Sequence, residues 1–423
     1  MDSKIYSVSA REILDSRGNP TIEVTAVLGS GYRGVAAVPS GASVGKYEAV
    51  ELRDHDEARY GGRGVLKAVD TVKKLIAPKI KDMDGLNQGA LDKAMVDLDG
   101  TPNKAVLGAN SILGVSLAVA VAAANHVRMP LYKYLNVMAG NGKPSPMTRI
   151  PTPTFNVING GKHGGGNLDF QEYHIVPATN KSFSDALRMG VELYHDVKQL
   201  LINRGAVHAT GDEGGFAPSL STNMDPLELL TEAIRTSKYR FGGDVFFGLD
   251  VAASSFKTDR GYQIKDRPVA YRTPEFIDYI KGLHKIYRLL ILEDPLGEDD
   301  WDGWIQMSKD LGGEVLLVGD DLLTTNPERL QHAIQKKACS AILLKLNQIG
   351  SLSEFLAVVA LAKKNDIKCI VSHRSGETTD TFVSDLAVAV QSDYVKFGAP
   401  ARGERVVKYN RLLAIEAELF GKP

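Results

Sequence analysis

The sequence predicts an α/β protein in which a β/α barrel follows a smaller N-terminal α+β domain. Three observations carry this expectation. At 423 residues the chain is too long for one small core. Beyond Pro153, short apolar runs alternate with amphipathic helical patterns at a regular repeat, which fits a parallel barrel better than a Greek key or a bundle. Each of those runs stops at a charged or hydroxyl-bearing group. A doubly wound open sheet is the alternative, because periodicity alone does not separate the two.

The first part runs over residues 1–138. Between Ile5 and Val38 lie three β-rich runs, broken by Asp15-Ser16-Arg17-Gly18-Asn19-Pro20 and by Gly29-Ser30-Gly31. Connections this short leave no room for a crossover helix, so the runs form an antiparallel meander. Helical patterns follow from Gly64 to Lys81, from Asn87 to Asp97 and from Asn110 to Val127. The basic stretch Lys73 to Lys81 is spaced against Val72, Leu75 and Ile76, which makes it a solvated helix face and not a nucleic-acid patch. A Gly/Pro/Ser-rich link, Ala139 to Pro153, opens the second part, residues 139–423.

In that second part the runs are Val245–Leu249, Leu289–Leu292, Val315–Val318, Ala341–Leu344, Ile367–Val371 and Tyr394–Val395. Helix starts between them are signalled by Thr273-Pro274-Glu275, by Asn326-Pro327-Glu328 and by a capping box from Ser351 to Glu354.

Bulk properties narrow the function classes. Hydrophobic residues make up 43% and charged residues 24%, ordinary for a soluble globular protein. A formal net charge of −1 provides no global field for nucleic acid or an acidic membrane. Met1-Asp2-Ser3-Lys4 does not begin a signal peptide, and the apolar stretch Ile112–Ala124 is too short to span a bilayer, so it reads as a buried helix. Cys339 and Cys369 lack metal-type spacing and suit buried free thiols in a reducing cytoplasm.

The run ends carry the chemistry. They are Asp250, Glu293-Asp294, Asp320-Asp321, Lys345, Ser372-His373-Arg374-Ser375 and Lys396. In a β/α barrel all of them converge on the C-terminal mouth. An Asp or Ser after a strand can simply cap the next helix, but a lysine has no acceptor to offer, so capping leaves Lys345 and Lys396 unexplained. Asp250, Glu293 and Asp320 supply oxygen ligands from neighbouring strands, suited to a hard divalent cation such as Mg²⁺. Lys345 beside such a cation, with Lys396 across the mouth, is expected to have a depressed pKa and to act as a general base. Arg374 and Ser375 can hold a phosphate or carboxylate.

Two acidic positions lie earlier. Glu213 sits in the loop Gly211-Asp212-Glu213-Gly214-Gly215, and Glu172, in Asp169-Phe170-Gln171-Glu172-Tyr173, begins another β-like run. Such a pair can share a raised pKa and leave one carboxyl protonated as an acid. His163 stands in a glycine-rich loop, Gly160 to Gly166. The stretch Ser40 to Lys46 falls one residue short of a phosphate-binding loop and has Tyr47 where a Ser or Thr is required, so it is better read as a lid whose Ser43 hydroxyl could reach a metal.

Taken together these residues resemble the enolase family of glycolytic 2-phosphoglycerate dehydratases. The resemblance runs almost end to end, through Asp15-Ser16-Arg17-Gly18-Asn19-Pro20-Thr21, Ser40-Gly41-Ala42-Ser43 and Gly211 to Gly215. It continues through Glu293-Asp294-Pro295, Leu344-Lys345-Leu346-Asn347-Gln348-Ile349-Gly350, Ser372 to Thr378 and Gly398-Ala399-Pro400-Ala401-Arg402. It implies an eight-stranded barrel with an atypical ββαα start. It implies Lys345 as base and Glu213, assisted by Glu172, as acid. Asp250, Glu293 and Asp320 then hold one Mg²⁺, and Ser43 joins the substrate phosphate around a second. Arg374 and Ser375 bind the phosphate and Lys396 the carboxylate side, while His163, Gln171 and His373 line the pocket. The Lys base and Mg²⁺ of this superfamily are themselves a standard example of pKa tuning. A cytoplasmic homodimer or dimer-based octamer is implied as well, with a surface pool as an addition.

Four positions depart from the family pattern: His174 for a common Met, Thr379 for a usual Glu, Phe397 for a usual Thr and Ala414 for a usual Arg. Strand alternation puts His174 on the face of Glu172, where it is expected to be a buried structural residue, with a perturbation of Glu172 as the alternative. Two other functions stay open: a relative acting on a carboxylate without phosphate, and a non-enzymatic scaffold role. Ser43, Arg374 and Ser375 speak against the first, Lys345 and Glu213 against the second.

Overall fold

The structure is a computed structural model that describes residues 2–41, 45–164 and 168–421. Strands β1 (Ile5–Leu14), β2 (Pro20–Leu28) and β3 (Arg33–Ala37) form the expected antiparallel meander, in the order β1-β2-β3. The first turn is held by the Asp15 side chain, which accepts from Arg17 N and Asn19 N at 2.8 and 2.9 Å. Ile22, Val24, Ala26 and Leu28 alternate inward on β2, and the helix Ala109–His126 covers them. That helix also packs on β3, where a Cβ on Gly34 would lie 2.1 Å from Ala118 O. Only glycine permits that approach. By length and composition the helix could cross a membrane, but 83% of it is buried inside the protein, so Ile112–Ala124 is a core element here.

The basic helix spans Leu66–Ile80 and contains one π turn, Val72–Ile76. Val72, Ile76 and Ile80 are buried, whereas Leu75 is 51% exposed, contrary to the spacing expected for it. The wider turn aligns residues four apart and rotates the i+3 position outward. Lys73, Lys74 and Lys79 face solvent as expected. A helix not anticipated from the sequence, Leu131–Ala139, docks Asn136 Nδ2 onto Ala389 O at 2.8 Å.

The remaining strands are β4 (Thr152–Asn159), β5 (Glu172–Pro177), β6 (Val245–Asp250), a two-residue hairpin β7 (Lys257–Thr258) and β8 (Gly261–Tyr262), β9 (Leu289–Glu293), β10 (Leu316–Gly319), β11 (Ala341–Leu344), β12 (Lys368–Ser372) and β13 (Tyr394–Lys396). All but the hairpin close into a barrel of order β4-β5-β6-β9-β10-β11-β12-β13. Pairing of Val395 with Pro153 and Lys396 with Thr154 seals it, which excludes the open doubly wound sheet. Strand β5 runs antiparallel to both β4 and β6, so the parallel repeat holds only from β6 onward, as a ββαα start requires.

Alternation divides the barrel residues between two cores. Val176, Ile291, Val318, Ala341, Leu343 and Ile370 pack in a separate inner cluster, while Leu292, Leu317, Ile342 and Val371 join the large core under the helices. The anticipated helix starts are present. Asn326 accepts from Glu328 N and Arg329 N, and Ser351 from Glu354 N. The N-terminal domain reaches the mouth through the paired backbones of Ser40 and Gly376 (2.8 and 2.9 Å) and through Ala37 N, which donates to Asp380 Oδ2 at 2.8 Å.

Candidate active site

The register of the strands builds the site. Glu172, Asp250 and Glu293 are directly paired across β5, β6 and β9 and form one row at the mouth. Glu172 belongs to that row because its strand is reversed: the start of β5 lies beside the ends of its neighbours. Asp320 and Lys345 each follow directly on β10 and β11, Ser372 ends β12 and Lys396 ends β13. Among the described residues, a cavity of about 360 Å³ is lined by His163, Gln171, Glu172, Glu213, Asp250, Asp320, Lys345, His373, Arg374, Ser375 and Lys396. Glu293 lies just beneath, buried and bonded to Lys396. Ser43 falls outside the described residues.

Lys396 spreads its ammonium over three carboxylates: Glu293 Oε1 at 2.8 Å, Asp250 Oδ2 at 2.9 Å and Glu172 Oε2 at 3.2 Å. Burial pulls its pKa down, but Asp250, Glu172 and Glu293 overcome this and hold it well above the ordinary lysine value. Lys345 donates to Asp320 Oδ2 at 2.5 Å. Burial, Arg374 and Lys396 lower its pKa, yet Asp320 leaves it raised. The depressed value expected from the sequence belongs to Lys345 beside a bound cation; with Asp320 as its partner the ammonium is held in the charged form.

The acid side is equally specific. Glu213 accepts from Ser375 Oγ at 3.0 Å and Asn156 Nδ2 at 3.2 Å, and its Oε2 lies 3.2 Å from His373 Nε2. Glu172 Oε1 meets His163 Nδ1 at 3.1 Å and its Oε2 meets His174 Nε2 at 2.7 Å. Burial and mutual repulsion raise the Glu172 carboxyl, but Lys396, His163 and His174 bring it below its usual range. For Glu213 burial is again outweighed, by His163 and His373, and the carboxyl is held well below the usual range. The shared raised pKa anticipated for this pair is therefore absent, because each carboxyl has more basic partners than acidic ones.

The proton stands on His163 instead. Burial lowers its pKa, but Glu213 and Glu172 lift it to about 8. The hydrogen bonds agree: Ser375 Oγ donates to Glu213 and so accepts from His163 Nε2, while His163 Nδ1 donates to Glu172. His373 is fixed differently. Arg405, fully buried, places Nη1 2.7 Å from His373 Nδ1, and a guanidinium can only donate. His373 therefore carries its proton on Nε2, facing Glu213. Burial leads the lowering of its pKa, with Arg405 opposing protonation further.

Two groups of side chains bring ligand atoms within 4.8 Å of one another among the described residues: His163, Glu172 and Glu213, and Asp294, Asp320 and Asp321. The triad expected from the sequence contributes only Asp320 to these, since Lys396 lies between Asp250 and Glu293. The charge balance nevertheless fits a cation. Glu293 is pushed well above the carboxylate range by burial, then by Asp250, with Asp320 and Glu172 adding to it despite Lys396. Asp321 rises to about 7 through burial and Asp320. Buried carboxylates with this much residual repulsion suit a divalent metal with oxygen ligands.

Glu48, Arg405 and Asn156 have no individual signal in the sequence, whereas Asp294 stands at a run end and Asn347 follows Lys345 by two residues. Glu48, from the N-terminal domain, binds Arg374 Nη1 at 3.0 Å, and Asn347 Oδ1 accepts from the same nitrogen at 2.7 Å. Arg405 also donates to Arg374 O at 2.7 Å and Ser375 O at 2.6 Å, holding the segment after β12 in place. Asn156 is an inward position of β4 that reaches Glu213. Asp294 accepts from Asp320 N and Asp321 N at 3.0 and 2.7 Å and so aims Asp320. Gln171, which was expected in the pocket, donates to Asp250 Oδ2 at 3.2 Å.

A closed barrel whose mouth combines buried lysines, paired carboxylates and acidic clusters able to hold a cation defines a class: metal-assisted acid–base enzymes acting on a small molecule. Residues 5–135 match the family model "Enolase, N-terminal domain", and residues 147–422 match "Enolase, C-terminal TIM barrel domain". The chain belongs to the enolase family, whose members are lyase-type enzymes that bind divalent metals.

Proposed function

We propose that this protein catalyses the reversible dehydration of 2-phosphoglycerate to phosphoenolpyruvate with Mg²⁺, the step used in glycolysis and gluconeogenesis. One observation carries the proposal above the rest. Lys345 follows β11 and Glu172 begins β5, which stand four places apart in the eight-stranded order, on opposite sides of the mouth. A base and an acid so placed suit an elimination in which a proton leaves one carbon and a hydroxyl leaves its neighbour.

In the forward direction Lys345, as the free amine, takes the proton from C2. The electron pair of that bond becomes the C2–C3 double bond, the C3–O bond breaks, and Glu213, assisted by Glu172, passes the proton held by His163 to the hydroxyl so that water departs. The proton on C2 is weakly acidic and its loss adds charge to a trianion, so cationic partners are required. Lys396 and Arg374 provide fixed positive charge, with Ser375, His373, His163 and Gln171 orienting the substrate. Asp250, Glu293 and Asp320 would hold one Mg²⁺ and Ser43 would contribute to a second. Bound metal would supply Lewis-acid stabilisation of the developing charge, and Asp320 serving as its ligand would no longer hold Lys345 in the charged form.

We assign the protein to the cytoplasm as a homodimer or a dimer-based octamer. Arg411, one turn from Ala414, pairs within its own chain with Asp385 at 2.7 Å. The test is ultraviolet detection of phosphoenolpyruvate from 2-phosphoglycerate, with and without Mg²⁺. Product in the presence of metal is expected. No turnover there, or turnover of a phosphate-free 2-hydroxy acid in its place, would overturn the proposal.

A further inference from the structure

We infer that His174 is a positioning residue that sets the orientation of Glu172, and through it the leaving-group side of the reaction alone. The inference rests on the dehydration proposed above. His174 lies on β5 two residues from Glu172, on the same face, and is 1% exposed. Its Nε2 lies 2.7 Å from Glu172 Oε2, the shortest contact that carboxylate makes among the described residues. Its Nδ1, also buried, has no hydrogen-bond partner there. The one polar contact of the ring is therefore Glu172, and a carboxylate can only accept, so the shared proton comes from His174.

The packing explains how the ring holds its place. His174 is paired with Asn156 on β4 and with Gly248 on β6. A Cβ on Gly248 would stand 3.3 Å from both His174 Cβ and Nδ1, so the imidazole lies against bare backbone. Asn156 on the other side reaches Glu213 Oε2 at 3.2 Å. Neighbouring positions on adjacent strands thus hold the two carboxyls of the acid side. Without His174, Oε2 of Glu172 keeps only Lys396, at 3.2 Å, and Lys396 is shared with Asp250 and Glu293. Glu172 Oε1 would then lose its fixed approach to His163.

Among the described residues His174 makes no hydrogen bond to Lys345, which lies across the barrel. Proton abstraction and hydroxyl departure can be read separately, because a C2 proton removed by Lys345 can return from solvent before water leaves. The experiment compares the wild-type protein with His174→Met, which retains bulk but no donor, and His174→Gln, which retains a donor. Each is incubated with 2-phosphoglycerate and Mg²⁺ in D₂O, with exchange at C2 followed by proton NMR and phosphoenolpyruvate by absorbance. His174→Met is expected to lower kcat about tenfold, with KM and C2 exchange within about twofold, and His174→Gln to recover most of the loss. Gly248→Ala, which presses on the ring without removing its donor, is expected to slow elimination about threefold by the same route. Unchanged kcat in His174→Met, equal loss of exchange and elimination, or failure of His174→Gln to recover activity would each overturn the inference. If His174→Met does not fold, Gly248→Ala and His174→Gln decide alone. A wild-type protein that neither exchanges nor dehydrates instead removes the proposed function.

Discussion

The two sides of the barrel mouth are built on different principles. Around Lys345, an ammonium rests on Asp320 at 2.5 Å, and the nearby acids Glu293 and Asp321 are pushed upward by burial and by repulsion from neighbouring carboxylates. Around Glu172 and Glu213, each carboxyl is tied by histidines, Ser375, Asn156 or Lys396, and both are held below their usual range. The first arrangement is poised to exchange partners when positive charge arrives; the second is built to hold geometry. This difference means that removing groups from one side should abolish the reaction, and that removing groups from the other should alter its timing.

The largest expected effect is on the first side. Lys345→Ala should cost at least about 10³-fold in kcat and abolish C2 exchange along with elimination, with an unchanged circular dichroism spectrum. Stripping divalent metal with EDTA should remove activity to a similar extent. Returning Mg²⁺ should restore it and raise Tm, because the ion binds carboxylates that repel one another without it. On the second side, Glu213→Gln should lower elimination by about 10²-fold while C2 exchange persists, and equal loss of both would erase the distinction between the sides. Arg405→Met should act through the scaffold. It leaves His373 Nδ1 and three backbone carbonyls without their donor, and about 3 kcal/mol of stability should be missing in urea unfolding.

The smallest effect concerns pH. His163 titrates near 8, above the ordinary value of 6.5, so its pairing with the two carboxyls contributes stability that is complete below about pH 6.5. That contribution, about 2 kcal/mol at most, is lost as the pH rises through 8. The Tm difference between the wild-type protein and His163→Asn should therefore be larger at pH 6 than at pH 9. An equal difference would mean that the imidazole is not charged in the folded protein.

Much of the mouth is legible along the chain for a simple reason. In a β/α unit the first polar residue after an apolar run must emerge at the C-terminal end of its strand, so Asp250, Glu293, Asp320, Lys345 and Lys396 announce themselves one by one. Glu172 breaks that rule because β5 is reversed and carries its functional residue at its start. A run of apolar residues does not state its direction; only the pairing with β4 and β6 does. Glu48, Asn156 and Arg405 are less legible still. Their partners lie 326, 57 and 32 residues away, and nothing in their local context distinguishes them from ordinary charged or polar positions.

The sequence alone was sufficient for the barrel, its N-terminal partner domain, the residues at the strand ends and the kinds of charge they carry, since periodicity and residue type are local properties. Which charge answers which was decided only in three dimensions. Lys396 lies between acids expected to share a metal, His163 carries the proton sought on a glutamate, and His174 reaches Glu172 in place of merely filling space. Protonation and partnership depend on distances of a few ångströms between strands far apart in the chain, where burial weakens the competition from water.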